Sequence, residues 1–306
     1  MDKNTRNIVR LLFQNKVYSY DGAAFETFFT QIMQCHSPHF MPVKPQGQYG
    51  DRKNDGFDKT MGTYYQVYAP ENITIKQKET IEKLVADFAG LYSYWQAIVP
   101  INLFYFVVND KYKGVYPSLY EELSKIEKTY TPIKANPLLA KNLEDIFLSL
   151  DETAIEDVLG TIPAQYNGDV EFGVMKDVVD FLLKVETKPQ QEIVPLNPNF
   201  DNKITFNSLS NSVASYLRSH RINEHVINDF FQYNSNYTKN ELRDVFNGLY
   251  HKALELLPDG DDKNDRVFMY IYENAYHTHS IAINAAIFTL MAYYFEYCDI
   301  FEAPEL

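Results

Sequence analysis

KPQGQYGDRKNDGFDKTMGTYYQVYAPE, residues 44–71, is the stretch on which the fold of this chain turns. Gly47, Gly50 and Gly56 punctuate it with turns, and Asp51 and Asp55 set two carboxylates between them. Thr63–Tyr68 is aromatic and β-branched and reads as a strand, as does Phe40–Val43 before the turns. An acidic turn feeding a strand is a layout suited to a divalent cation, which offsets charge on a phosphodiester and helps ionise an attacking water. Such sites place a carboxylate at the turn, an acceptor on the following strand and a lysine two residues later. Asp55 and Gln66 occupy the first two places, with Asp51 as a second carboxylate. Tyr68 stands in the third and carries no positive charge at neutral pH. The ordinary reading of the same residues is a polar turn closing a hairpin.

Outward from this stretch the pattern alternates between helix and strand. Phe25, Phe28, Phe29, Ile32 and Met33 recur at helical spacing, with Glu26 at the border of that apolar face. A helix is predicted over 75–95 from Ile81, Leu84, Val85, Phe88, Leu91 and Tyr92. The unbroken apolar run 102–108, NLFYFVV, reads as a strand buried on both faces. Helix, strand, turn, strand, helix, strand is the order of an α/β domain.

These residues resemble the restriction-endonuclease-like superfamily, particularly its Mrr-like branch, whose motif runs helix glutamate, GxxGDxxxDG, QxK. Glu26 in AFETFFTQI, Gly47 and Gly50 before Asp51, Asp55-Gly56 and Gln66 carry the resemblance, and the lysine of QxK is replaced by Tyr68. The resemblance implies a restriction-endonuclease-like α/β domain with a central mixed sheet over residues 1–115. It implies Asp55, Gln66, Glu26 and Lys53 as catalytic residues and Asp55, Asp51 and Gln66 as ligands of Mg2+ or Mn2+. Relatives recruit lysine from neighbouring elements, so Lys53, Lys76 or Lys78 is expected to supply the missing charge.

The composition describes the rest of the molecule more coarsely. In 306 residues, 45% are hydrophobic, with 24 tyrosines and 21 phenylalanines, which argues for packed domains rather than disorder. Cys35 and Cys298 are far apart and in no metal-ligand spacing, so neither a disulfide framework nor a zinc site is expected. The amino terminus lacks an apolar leader, and the longest apolar run, Ile281–Phe295, is shorter than the roughly 20 residues a span needs. A cytoplasmic location without a membrane anchor is expected. The formal charge of -13 argues against a broad DNA-binding face, because non-specific affinity comes from Lys and Arg neutralising phosphates. Lys44, Arg52, Lys53 and Lys59 form a local basic patch beside the acidic turn.

From Pro117 to Val185 the pattern is helical, a connecting region over 116–190. Three prolines in KPQQEIVPLNPNF (188–200) place a boundary near residue 190. The remainder, 191–306, reads as all-α, with Thr238 and Glu241 forming a capping box. The acidic run 259–265 fails the EF-hand pattern and is expected to be a solvated loop. No P-loop or dinucleotide glycine pattern is present, so any ATP dependence is expected to reside in a partner.

KITFNSLSNSVASYLRSH (203–220) and AYYFEYCDIFEAPEL (292–306) are similar to the helical carboxy-terminal domain of ABC-three-component systems, bacterial defence modules with Lamassu as a relative. Residues 77–187, including FVVND (106–110) and LGTIP (159–163), resemble the same group less distinctively. The resemblance implies an anti-phage or anti-plasmid effector that an SMC- or Rad50-like ATPase controls, together with a further small subunit, and that reaches DNA through the complex. The alternative it leaves is a catalytically degenerate scaffold that links or regulates the ATPase.

Overall fold

The computed structural model describes residues 1–73, 75–163, 170–189, 199–234, 239–297 and 299–304. Most of the proline-bearing boundary segment, Thr238 of the capping box and Cys298 lie outside them. The described chain forms two compact units, Lys16–Val158 and Met1–Asn15 with Leu159–Leu306. Helix α1 (Lys3–Ser19) contributes residues to both.

The first unit is built on a five-stranded mixed sheet in the order β1-β2-β3-β4-β5. Strands β1 (Phe40–Pro42), β2 (Gly56–Asp58) and β3 (Thr63–Tyr68) are antiparallel neighbours. Strand β4 (Leu103–Val108) runs parallel to β3, and β5 (Lys134–Leu139) runs parallel to β4. The helices are α2 (Gly22–His36), α3 (Gln77–Trp95), α4 (Pro117–Thr129), α5 (Ala140–Phe147) and α6 (Glu152–Leu159).

Strand alternation sorts β3 between two layers. Tyr64 and Tyr68 join Leu84, Phe88 and Leu91 of α3 and Phe104 and Phe106 of β4 in one core. On the other face, Tyr65 packs against Phe29 of α2 and Phe40 of β1. Gln66 therefore projects toward α3, between the two core tyrosines.

The expected strands at 40–43, 63–68 and 102–108 and the helix at 75–95 are present to within two residues at most ends. Strand β5 departs from the helical pattern expected across 117–185. KANPLL has little strand character of its own, and Pro137 cannot donate to a ladder. It forms a strand because β4 offers an open edge: Ala135 and Leu138 turn inward while Lys134 and Asn136 face solvent.

Gly56 fixes how closely β1 and β2 approach, since a Cβ there would sit 2.3 Å from the Phe40 ring. Gly56→Ala is expected to cost about 1–3 kcal/mol, the usual range for overpacking a core. Urea unfolding monitored by far-UV circular dichroism measures it, and an unchanged midpoint would contradict the tight fit.

The second unit is helical in its described residues. It comprises the start of α1 with α7 (Phe172–Leu182), α8 (Phe200–Phe206), α9 (Asn211–Arg221), α10 (Glu224–Tyr233), α11 (Lys239–Leu256), α12 (Lys263–Asn274) and α13 (Ile281–Glu296). Residues Asn284–Phe295 of α13 are buried on all sides, as expected of a helix apolar all round. No described helix is long and apolar enough to cross a membrane. The acidic run 259–265 is not wholly a solvated loop. Asp265 is buried at the start of α12 and accepts a hydrogen bond from the Ser210 N–H at 2.9 Å.

Candidate functional site

The glycine-punctuated turn carries its carboxylates into the first unit through local hydrogen bonds. Asp51 Oδ1 accepts from the Lys53 N–H at 2.7 Å, an Asx turn. It is accompanied by left-handed backbone at Arg52 (φ 60°) and Lys53 (φ 64°), a region costly for residues other than glycine. The Asp55 N–H donates to the Tyr65 carbonyl at 3.0 Å, which prolongs the β2–β3 ladder by one residue. The Val67 N–H then donates to Asp55 Oδ2 at 2.5 Å. Asp55 is thereby clamped to β3 at both its backbone and its carboxylate, with 4% of its surface exposed.

Burial is the main reason the Asp55 carboxyl is pushed up to about 7, and the Glu26 and Asp51 carboxylates push it further. The Val67 N–H and the Lys83 ammonium act in the opposite direction. Glu26, half-buried on α2, is also raised, by burial first and then by Asp51. Gln66 of β3 is 5% exposed, and its Oε1 accepts no hydrogen bond. An unpaired amide oxygen at that depth is costly unless a ligand takes it.

Glu26 of α2 and Asp51 and Asp55 of the turn are thus brought into one electrostatic neighbourhood, and Gln66 lies on β3 between Tyr65 and Val67, whose backbones hold Asp55. Among the described residues, no three His, Cys, Asp or Glu side chains converge as a complete metal cage. Mg2+-type ions need less, being bound through one or two carboxylates with waters and substrate phosphate completing the shell. The buried Asp55 carboxylate and the unpaired Gln66 Oε1 are oxygen donors of the kind such an ion takes.

Tyr68 is packed rather than catalytic in posture. It is buried in the α3-side core, stacks on Phe106 with ring centroids 5.9 Å apart, and donates from its hydroxyl to Glu79 Oε1 at 3.4 Å. Lys76 and Lys78, two of the expected replacements, pair with Glu79 at 3.4 Å and Glu82 at 3.6 Å. The cation that lies over the Tyr68 ring is Lys83 of α3, with Nζ 5.9 Å from the ring centre. Lys83 also donates to Asp87 Oδ2 at 2.5 Å, and Lys53 reaches Asp87 Oδ1 at 3.0 Å. The Asp87 side chain, 2% exposed, therefore holds one lysine on each oxygen.

Sequence reasoning named Lys53 and missed Lys83 and Asp87. A signal was available: Asp87 falls on the face of α3 that buries Thr80, Leu84, Phe88 and Leu91. A carboxylate in a core stripe needs a cation, and Lys83 sits one turn before it.

Residues 175–302 match the family model for C-terminal domain 10 of the ABC-three component (ABC-3C) systems. The match lies within the helical unit, from α7 to just past α13, and takes in KITFNSLSNSVASYLRSH (203–220) whole and AYYFEYCDIFEAPEL (292–306) through residue 302. Of the less distinctive stretch 77–187, it covers residues from 175 onward. No curated protein and no solved structure matches the chain. Within the matched region the two segments are tied together by Lys203, whose Nζ donates to the carbonyls of Phe295 at 2.6 Å and Ile300 at 2.8 Å.

Proposed function

We propose that this protein is a restriction-endonuclease-like effector of a bacterial ABC-three-component defence system: a Mg2+- or Mn2+-dependent DNA endonuclease controlled by an SMC- or Rad50-like ATPase. The observation that carries the nuclease reading is the buried Asp55 carboxylate with Glu26, Asp51 and Lys83 in its electrostatic neighbourhood, and the buried, unpaired Gln66 Oε1 on the strand that holds Asp55 supports it. The ABC-3C domain at 175–302 supports membership of a multi-component system. The ATPase, a further small subunit and a Lamassu-like arrangement belong to the proposal.

Asp55 and Gln66, with Asp51, would hold the cation. When bound it would offset phosphodiester charge and lower the pKa of an attacking water. Asp55 is preset in geometry by the Val67 N–H. Glu26, with its proton affinity raised, would take a proton from water at its carboxylate. Lys83 takes the part that Tyr68 cannot play, steadying the negative phosphate, and Lys53 assists from the turn. Asp87 fixes where both ammonium groups lie.

A second reading, a non-catalytic scaffold, is favoured by Tyr68 and by the engagement of both lysines with Asp87. Cleavage of plasmid and linear DNA in Mg2+ or Mn2+, by the protein alone and with a candidate ATPase partner, separates the two. Lys83→Ala is expected to slow cleavage about 10²–10³-fold, the scale for losing one transition-state charge contact. Lys83→Arg is expected to retain a substantial part of the rate. Cutting by the wild type that Asp55→Ala abolishes supports the effector. No cutting under any condition by an assembled complex selects the scaffold.

A further inference from the structure

Gly90 stands in the interior of α3, where glycine is unfavourable relative to alanine, and it is only part-buried, so no crowded core demands it. Its space is claimed from outside the helix. A Cβ at Gly90 would sit 3.0 Å from Cγ and 3.9 Å from Cβ of Lys53. Apart from its chain neighbours and the helix backbone, no other described residue comes within 4 Å of that point. The Lys53 stem thus lies across α3 at Gly90, and its ammonium continues to Asp87 Oδ1, 3.0 Å away. The preceding turn residue supplies a second grip: the Arg52 guanidinium is 4.8 Å from the centre of the Tyr94 ring. Lys83, Asp87, Gly90 and Tyr94 are spaced i, i+4, i+7 and i+11 and so share one face of α3. Arg52 and Lys53, the two turn residues with left-handed backbone, are the ones that reach this face. They stand between Asp51 and Asp55 in the chain, so their docking constrains both carboxylates.

We propose that Gly90 is a positioning residue for the DNA cleavage assigned to the Asp55 site: by lacking a side chain it opens the lane through which Lys53 reaches Asp87, while Tyr94 seats Arg52 a turn further along. The catalytic consequence rests on the nuclease reading; the seat itself does not. An ammonium steadies developing phosphate charge only from a fixed place. Held on Asp87, the Lys53 ammonium is fixed and stays protonated, because the hydrogen bond to Asp87 and its charge raise the Lys53 pKa. In Gly90→Leu the new side chain would lie back over the preceding turn, toward Asp87, and close the lane.

The first test needs no cleavage. Trace acetylation of the full chain by N-hydroxysuccinimidyl acetate in EDTA, read site by site by mass spectrometry, is expected to modify Lys53 more slowly than the exposed Lys78 in the wild type. Gly90→Leu is expected to speed modification of Lys53 several-fold, since only the neutral amine is acylated. Lys83, which reaches Asp87 from within α3, is expected to keep its wild-type rate. The Tm is expected to stay at or above that of the wild type, because a glycine leaves a helix interior. In Mg2+ or Mn2+ the same variant is expected to cut DNA about 10–100-fold more slowly, the scale for a misplacement of about 1 Å, and Gly90→Ala to lose less. Added to Lys53→Ala, Gly90→Leu is expected to cost no more than about twofold, because both changes act through one side chain. Unchanged Lys53 acetylation in Gly90→Leu overturns the seat, in an active or an inactive protein. Equal slowing with and without Lys53 overturns the positioning role, because the effect then reaches the site by another route. A wild type that never cuts overturns the nuclease reading and with it the catalytic consequence, and the acetylation rates then decide the seat alone.

Discussion

Asp55→Asn is expected to make the protein more stable than the wild type at pH 8.5 in EDTA, and indistinguishable from it near pH 4. The Asp55 carboxyl is pushed from 3.8 to about 7 in the folded protein, chiefly by burial and then by Glu26 and Asp51. A folded-state value above the unfolded one means that the protonated group supports the fold fully below pH about 4, and that this support is lost as pH rises through about 7. A shift of about three units corresponds to on the order of 4 kcal/mol at alkaline pH. Asparagine keeps an acceptor for the Val67 N–H and removes the charge. A divalent cation is expected to do for the wild type what the substitution does for the variant. At a hundred times its Kd it returns about 2.7 kcal/mol, provided it binds the folded state alone. Thermal melts at pH 4 and 8.5, with EDTA or Mn2+, measure all of this. A variant less stable than the wild type at pH 8.5 in EDTA, or a Mn2+ shift of equal size in both proteins, would remove Asp55 from the metal site. The same variant is expected to lose cleavage entirely.

Lys203→Met is expected to lower the Tm of the helical unit by about 10 °C. Lys203 is 0% exposed, and its ammonium is the donor to two carbonyls at the end of α13 and beyond, Phe295 and Ile300, while lying 4.5 Å from the Phe295 ring. Asn207, also on the α8 side, donates to the Glu302 carbonyl at 2.8 Å and accepts from the Glu302 N–H at 3.1 Å. Together they hold residues 299–302 against α8. Methionine retains the apolar stem and removes the donors, taking the ammonium from the Ile300 carbonyl and leaving the Phe295 carbonyl with the Tyr297 N–H. Breaking a buried charged arrangement of this kind costs about 3–5 kcal/mol, and a unit of this size loses roughly 2–4 °C per kcal/mol. Differential scanning calorimetry reads the change. A shift under about 2 °C would show that the closing segment is held by other contacts.

The elements most readable along the chain were those whose pattern repeats within a few residues. Phe25–Met33 announced α2 by its 3.6 period, LFYFVV announced β4 by its length and apolarity, and the run 281–295 announced α13, buried from Asn284 to Phe295. Asp51 and Asp55, named from their order in the turn, lie in one electrostatic neighbourhood with Glu26. KITFNSLSNSVASYLRSH pointed to the ABC-3C domain, which the family match over 175–302 supports.

What local pattern did not contain was decided by contacts between distant residues. KANPLL is a strand because β4 has an edge to offer. Lys83 lies over the Tyr68 ring, while Lys76 pairs with the Glu79 carboxylate that the Tyr68 hydroxyl also reaches, because the rotation of α3 over the sheet sets both. Residues 1–15 group with residues 159–306, which no motif in them foretold. The charge state of Asp55 is likewise a property of its surroundings: the residue type permits a carboxylate near pH 4, and burial beside Glu26 and Asp51 moves it to about 7. Sequence determined which residues could do chemistry, because side-chain identity and short-range period are written in it; tertiary structure determined which of them meet and in what protonation state, because proximity and desolvation arise only when the chain closes on itself.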